Sequence, residues 1–199
     1  MVPGNRFERR KQRTRQDILR AAEKVLADKG LFDAKIADIA EAADIGVGTV
    51  YLHFETKEAL TEAVVEDTVT RLKDTIDRAR AQVDSVIEQV RVSTRALCRF
   101  AHANRAVFRV VFGRGGAYHD IVQRAQAMFA ADIERTLTEG VAQGVFRVTS
   151  PALAAQALVG MSTQLLAWWA EQDTASIDEV EATITNLTLR GVGRADEGV

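Results

Sequence analysis

The residues best suited to a chemical task stand in the N-terminal part of this 199-residue chain. Between Arg6 and Arg15, six cations (Arg6, Arg9, Arg10, Lys11, Arg13, Arg15) face one acid, Glu8, although the whole chain carries a net charge of −2. The remainder is therefore acidic, and the positive charge is confined to one end. Such a run is either an electrostatic footprint for a polyanion or a solvated tail. Further along, Val47, Gly48, Thr49, Tyr51, His53 and Lys57 form a second group. Thr49 can meet a base edge or a thymine methyl. Gly48 lets backbone come close, and Val47 offers apolar contact only. Tyr51 and His53 end in polar tips. Lys57 opens a helix, where an ammonium and backbone N–H groups can hold one phosphate together.

Other chemistries find little support. His53, His102 and His119 are far apart with no i, i+4 ligand pair, so no metal site is expected. No nucleophile and base fall at a recognisable spacing, so neither catalytic residues nor a cofactor are expected. The loop Gly113-Arg114-Gly115-Gly116 could cradle an anion, but it lacks the strand that precedes a phosphate loop and reads more simply as an interhelical turn. The single cysteine, Cys98, forbids an internal disulfide and fits a reducing compartment. No apolar run reaches the ~18 residues of a membrane span. The basic start has no apolar segment behind it, unlike a secretory signal. A cytoplasmic protein is the expectation. Composition, 47% hydrophobic and 27% charged, is ordinary for a globular chain.

The elements that must position these residues are helices. A period of 3.6 residues recurs, and no strand-type alternation persists. The spacing predicts an all-α chain of about nine helices. The first, near Arg15 to Asp28, carries Ile18, Ala21, Ala22, Val25 and Leu26 on one face and stops at Gly30. Short helices follow near Ile36 to Ala43 and Val47 to His53, with Val50, Leu52 and Phe54 expected in the core. A long helix starts near Lys57 and reaches about Ala79. Ser85 with Glu88 reads as a capping box for a helix to about Ala103. Asn104 is expected to cap a short helix ending at Gly113. A longer helix spans about Tyr118 to Ala142 and ends at Gly144. Ser150-Pro151 starts another, to about Glu171. The last runs from about Ile177 to Leu189, with Gly191 ending it and a frayed tail from Arg194. The fourth helix joins a small N-terminal unit to a larger one without a flexible linker.

Two short helices around a three-residue turn make a helix-turn-helix, with Val47 to His53 as the helix that enters a major groove. Ile36-Ala37-Asp38-Ile39-Ala40-Glu41-Ala42-Ala43, Gly48-Thr49-Val50-Tyr51-Leu52-His53-Phe54 and Lys57-Glu58-Ala59-Leu60 resemble the DNA-binding domain of the TetR family of repressors. Ile18-Leu19-Arg20-Ala21-Ala22 and Gly30-Leu31-Phe32 fit the same pattern. The resemblance is specific over Thr14 to Leu60. It is looser beyond, in Gly144-Val145-Phe146-Arg147, Ser150-Pro151 and Trp168-Trp169. It implies that Tyr51 and His53 donate to phosphates, the alternatives being a packing tyrosine and a plain surface histidine. Departures fall at Ala34, where the family has Ser or Thr, at Asp44 in place of Gly, and at Gly46 in place of Ser. Lys35 is a substitute phosphate contact, and Arg13 with the basic arm adds phosphate or minor-groove contacts.

The resemblance also implies a boundary: residues 1–56 as the DNA-binding domain, 57–199 as an effector-binding and dimerisation domain. Phe100, Phe108, Phe112, Phe129, Trp168 and Trp169 concentrate in the latter, either as plain core or around a pocket. The candidate lining is Leu97, Phe100, Phe108, Met128, Phe129 and Trp168, suited to a lipophilic or aromatic effector such as an acyl chain. Arg95, His102, Arg109 or Gln164 would orient a polar group. The last two helices would form a homodimer interface through Leu158, Leu165, Ile184 and Leu187, placing two reading helices ~34 Å apart on a palindromic operator. The expected function is a ligand-responsive repressor. The alternatives are a constitutive DNA-binding dimer without an effector, and a helical small-molecule-binding protein that has lost DNA binding.

Overall fold

A computed structural model describes residues 6–112, 119–172 and 174–193. The side chains of Leu31, Phe32 and Phe112, the glycine loop at 113–116, Tyr118 and the tail from Arg194 lie outside that description. The described residues form nine helices: α1 (Arg6–Asp33), α2 (Ile36–Ala42), α3 (Val47–His53), α4 (Lys57–Arg80), α5 (Val86–Ala103), α6 (Arg105–Phe112), α7 (His119–Ala142), α8 (Pro151–Glu171) and α9 (Ile177–Val192). The chain divides into two compact units, Met1–Thr68 and Val69–Val199, with α4 contributing residues to both.

The first unit packs α1 to α3 and the start of α4 around Ile18, Ala22, Leu26, Ile39, Ala40, Val50, Phe54, Leu60 and Val64. Helix α1 begins at Arg6, well before the expected Arg15, so the basic segment is helical and not a tail. Lengthening an existing helix needs no new nucleus, and arginine is a good helix former. Thr14 adds a bond from its hydroxyl to the Arg10 carbonyl at 3.1 Å. Gly30, at φ 78 and ψ 171, breaks the helix where expected, with one further turn before α2. The Lys35 N–H donates to the Asp38 carboxylate at 3.1 Å and caps α2. Lys29 pairs with the same carboxylate at 2.9 Å, which ties α1 to α2. These two partners hold the Asp38 carboxyl below the usual carboxylate range.

In the second unit α5, α6, α8 and α9 enclose a core of Cys98, Ala101, Phe108, Leu166, Trp169, Ile177, Val180 and Ile184. A neighbouring core joins Val86, Ala130, Leu137, Phe146, Ala155, Val159 and Val192. Phe146 lies so close over Gly140 that a methyl group there would overlap its ring. Burial pushes the Cys98 thiol up to about 12. Lys73 of α4 meets Asp132 of α7 at 3.0 Å and Asp77 at 2.5 Å, and Arg80 donates to Thr136 at 2.7 Å. Burial works against the Lys73 charge, but the two carboxylates outweigh it and hold its pKa above the ordinary value.

Several helix ends differ from expectation. Ser85 makes no side-chain cap, and Glu88 pairs with Arg91 at 3.4 Å. Asn104 donates its amide to the Phe100 carbonyl at 2.7 Å, closing α5 and not opening α6. The box forms at α9: the Glu179 N–H donates to Ser176 Oγ at 3.2 Å, and the Ser176 N–H donates to Glu179 Oε2 at 2.8 Å. Gly191 lies inside α9, which continues to Val192. Ser150 caps α8 as expected, accepting from the Leu153 N–H, with Pro151 in the first turn.

Candidate nucleic-acid interface

Helix α3 is held from beneath by two residues. Val50 is fully buried, and Phe54 just beyond its end is 5% exposed. The rest of the helix has no room in the core, so Val47, Gly48, Tyr51 and Leu52 are exposed and Thr49 and His53 are half-buried. About two turns thus bring Val47, Gly48, Thr49, Tyr51 and His53 onto a presented surface. The expectation that Leu52 lies in the core is corrected: it is 81% exposed. Successive helix residues step by roughly 100°, so with Val50 and Phe54 facing inward Leu52 must turn away. Nothing within 4 Å meets a methyl group built on Gly48, which leaves the helix N-terminus open to close approach.

The turn into α3 is built on a left-handed aspartate. Asp44 has φ 55, the one positive φ among the described non-glycine residues. The Ile45 N–H returns to the Ala40 carbonyl at 3.0 Å and closes the turn. Gly46 sits at the α3 N-cap with no side chain to offer, leaving the Thr49 N–H on the Gly46 carbonyl at 2.8 Å. Thr56, a residue not anticipated, accepts from the Ala59 N–H at 3.0 Å and sets the start of α4 under Lys57. Its signal was legible: a threonine immediately before a helical period.

Helix α1 lies alongside the end of α3. Its Arg15 guanidinium stands 5.1 Å over the Phe54 ring. Partial burial, followed by the nearby charges of Lys11 and Arg15, lowers the His53 pKa from 6.5. Arg13 and Lys35 are exposed, Lys35 at the opening of α2. An exposed hydroxyl, a half-buried imidazole and cationic groups on adjoining helices can bind a polyanion along its phosphates and present a short helix to base edges.

The other expected sites fare unevenly. Leu97, Phe100 and Phe108 join one core, Phe129 joins the other, and Met128 is half-buried. The Arg71 guanidinium stands 5.8 Å over the Phe100 ring. Trp168 does not line this interior: it is 44% exposed, whereas its neighbour Trp169 is 2% exposed. The step of roughly 100° from Trp169 carries Trp168 out of the face that enters the core. Of the expected interface residues, Leu187 is 54% exposed and Leu158 and Leu165 are half-buried. Ile184 is 2% exposed, because α9 uses its Ile177–Val180–Ile184 stripe against its own core. Leu153 and Trp168 of α8 offer the exposed apolar surface instead. His102, Arg109 and Gln164 are exposed, with the His102 ring 6.0 Å from that of Trp169. Arg95 lines a groove of about 560 Å³ between α5 and α9 with Arg91, Arg99, Asp178, Glu181 and Thr185. Among the described residues there is no group of three or more metal-ligating side chains, and no helix is long and apolar enough to cross a membrane.

Two family models match the chain. Residues 18–64 match the one described as bacterial regulatory proteins, tetR family, and residues 83–192 the tetracyclin repressor-like C-terminal domain. The chain is 30% identical over 142 residues to the HTH-type transcriptional repressor KstR2 of Mycolicibacterium smegmatis, covering 67% of each protein. It is 43% identical over 61 residues to the HTH-type transcriptional regulator YvdT of Bacillus subtilis, a match spanning 31% of either chain. The fold is similar to that of the fatty acid degradation regulator FadR from Bacillus halodurans, with a TM-score of 0.77 at 21% identity, covering 88% of this chain and 94% of that one.

Proposed function

This chain belongs to the tetR family of bacterial regulatory proteins, and from that premise we propose that it is a ligand-responsive repressor binding a palindromic operator as a homodimer. The observation that carries the reading is the α3 surface. Val50 and Phe54 anchor the helix, Val47 and Tyr51 are exposed, Thr49 and His53 are half-buried, and Lys11 and Arg15 of α1 stand near His53. In this reading Val47, Gly48 and Thr49 meet the bases, while Tyr51, His53, Lys57, Lys35 and Arg13 hold phosphates.

The larger unit takes an effector and pairs two protomers. Leu97 and Phe100 are only half-buried on the core that holds Phe108, and Met128 and Phe129 are half-buried on α7, Phe129 against the neighbouring core, so a lipophilic or aromatic molecule, an acyl chain included, can complete the burial of either group. Pairing uses Leu187 together with Leu153 and Trp168, flanked by Leu158 and Leu165. Helix α4 supplies residues to both units, so an effector that prefers one setting of α4 lowers operator affinity by its differential binding energy.

The test is fluorescence anisotropy with duplex DNA from the protein's own upstream region. Tyr51→Phe and Lys57→Ala each remove a donor to a charged acceptor, and each is expected to weaken binding roughly 10- to 100-fold. No sequence-selective binding by the parent at low salt would overturn the reading.

A further inference from the structure

Helix α1 projects beyond the core before its first buried residue. Every residue from Arg6 to Arg13 is exposed, and burial begins at Ile18. The projecting part carries two cationic flanks. At roughly 100° per residue, Arg6, Arg9, Arg10 and Arg13 fall within about 100° of one another on the side opposite Ile18 and Ala22. Lys11 and Arg15 fall on the other flank, the one beside His53 and Phe54. Glu8 falls about 20° beyond Arg15, on the outer rim of this second flank, and Phe7 and Thr14 lie on the edge between the two flanks.

We propose that this helix lies across the minor groove next to the half-site and grips the phosphates of both bordering strands. The proposal rests on the operator-binding reading above. Its physical basis is size and charge. A helix with side chains is about 10–12 Å wide and cannot enter a minor groove about 6 Å wide. An extended basic tail enters that groove and senses A·T content; a helix can only bridge it. From Arg6 to Arg13 the axis runs about 10 Å, and each DNA strand carries about three phosphates over that length. Lys11 and Arg15 continue the strand contact begun by His53, and the four arginines reach the opposite strand. The edge with Phe7 and Thr14 turns to the duplex and Glu8 turns away. The helix therefore extends the footprint and raises affinity equally for all sequences.

The experiment measures the salt dependence of binding to a 40-base-pair duplex selected by the protein from a random pool, and to a mixed-sequence duplex of equal length. The parent is compared with the fourfold variant Arg6→Gln, Arg9→Gln, Arg10→Gln and Arg13→Gln, whose exposed positions leave the core intact, checked by circular dichroism. The slope of log K against log salt is expected to fall by about 2–3 per protomer, by the same amount on both duplexes. Exchanging A·T for G·C beside the half-site is expected to change nothing. Gln12→Pro keeps every charge but interrupts the helix, and is expected to reduce the slope and to introduce a preference for A·T flanks. An unchanged slope in the fourfold variant, while Tyr51→Phe still weakens selective binding, overturns the proposal and leaves the operator reading standing. A preference of the parent for A·T flanks also overturns it. So does loss of binding to phosphatidylserine vesicles in place of any change on DNA. A parent that does not prefer the selected duplex, with Tyr51→Phe indifferent, overturns the operator reading and this proposal together.

Discussion

Asp44 shows how a single residue can carry a turn against its own preference. Its φ of 55 costs an L-residue up to about 1–2 kcal/mol, less for aspartate than for most. Glycine removes that strain but enlarges the unfolded ensemble, so Asp44→Gly is expected to stabilise by about 1 kcal/mol at most, a rise of about 2–4 °C in Tm. Asp44→Val is expected to lower Tm, and thermal unfolding followed by circular dichroism measures both. His53 titrates below 6.5 because of partial burial and then the charges of Lys11 and Arg15. The unfolded chain binds that proton more readily, so stability contributed here is present at neutral pH and lost as pH falls through the folded value. A DNA phosphate favours the charged imidazole. Operator affinity is therefore expected to be flat from pH 8 to 7 and to rise below 6.5, and His53→Gln to abolish that rise in anisotropy titrations. The identity and strain of Asp44 were legible as a departure from a familiar pattern. The outward turn of Leu52 was not, because a seven-residue helix does not reveal which of its faces a distant helix will cover.

At the scale of elements, two four-residue segments with serine and glutamate at the same spacing had opposite fates. Ser85 to Glu88 and Ser176 to Glu179 share the same spacing, yet only the second closes into a reciprocal cap. Arg91 stands one turn beyond Glu88 and takes its carboxylate. At α9 the backbone N–H and hydroxyl of Ser176 keep Glu179 and hold its pKa below the usual range. Local spacing placed the starts of α2, α3, α4 and α8, where the signal lies within one turn, but not the start of α1. It missed the tie that ends α8, because the partner is remote in sequence. Arg105 donates to the carbonyls of Ala170 at 3.2 Å and Trp169 at 3.0 Å, and to that of Gln172, with its guanidinium 4.7 Å over the Trp169 ring. One planar fork thereby satisfies carbonyls that the last turn of α8 leaves open. A lysine ammonium cannot serve them together. Arg105→Lys is expected to destabilise by about 1–3 kcal/mol, read as a lowered urea midpoint at unchanged slope.

For the whole molecule, the helical class and the positions of the elements were legible because the 3.6 period is strong wherever one face is buried. Which faces enter the core and which stay exposed was not, since Ile184 and Leu187 look alike in sequence and differ only in what packs on them. Cys98, the chain's single thiol, is fully buried in the α5–α6–α8–α9 core, and its ionised form is strongly disfavoured. The thiolate is the nucleophile that attacks thiol reagents, so labelling must wait for that core to open transiently. The rate of modification is then a clock for local unfolding of the second unit, read without added probes. Any compound that binds the closed form slows the clock by the factor 1 + [L]/Kd. Labelling of the native protein is expected to run orders of magnitude slower than in urea, and a saturating effector to slow it a further tenfold or more. Native-state labelling at the free-thiol rate would refute the closed core. On the ligand-responsive reading proposed above, the same measurement ranks candidate effectors before any operator sequence is known.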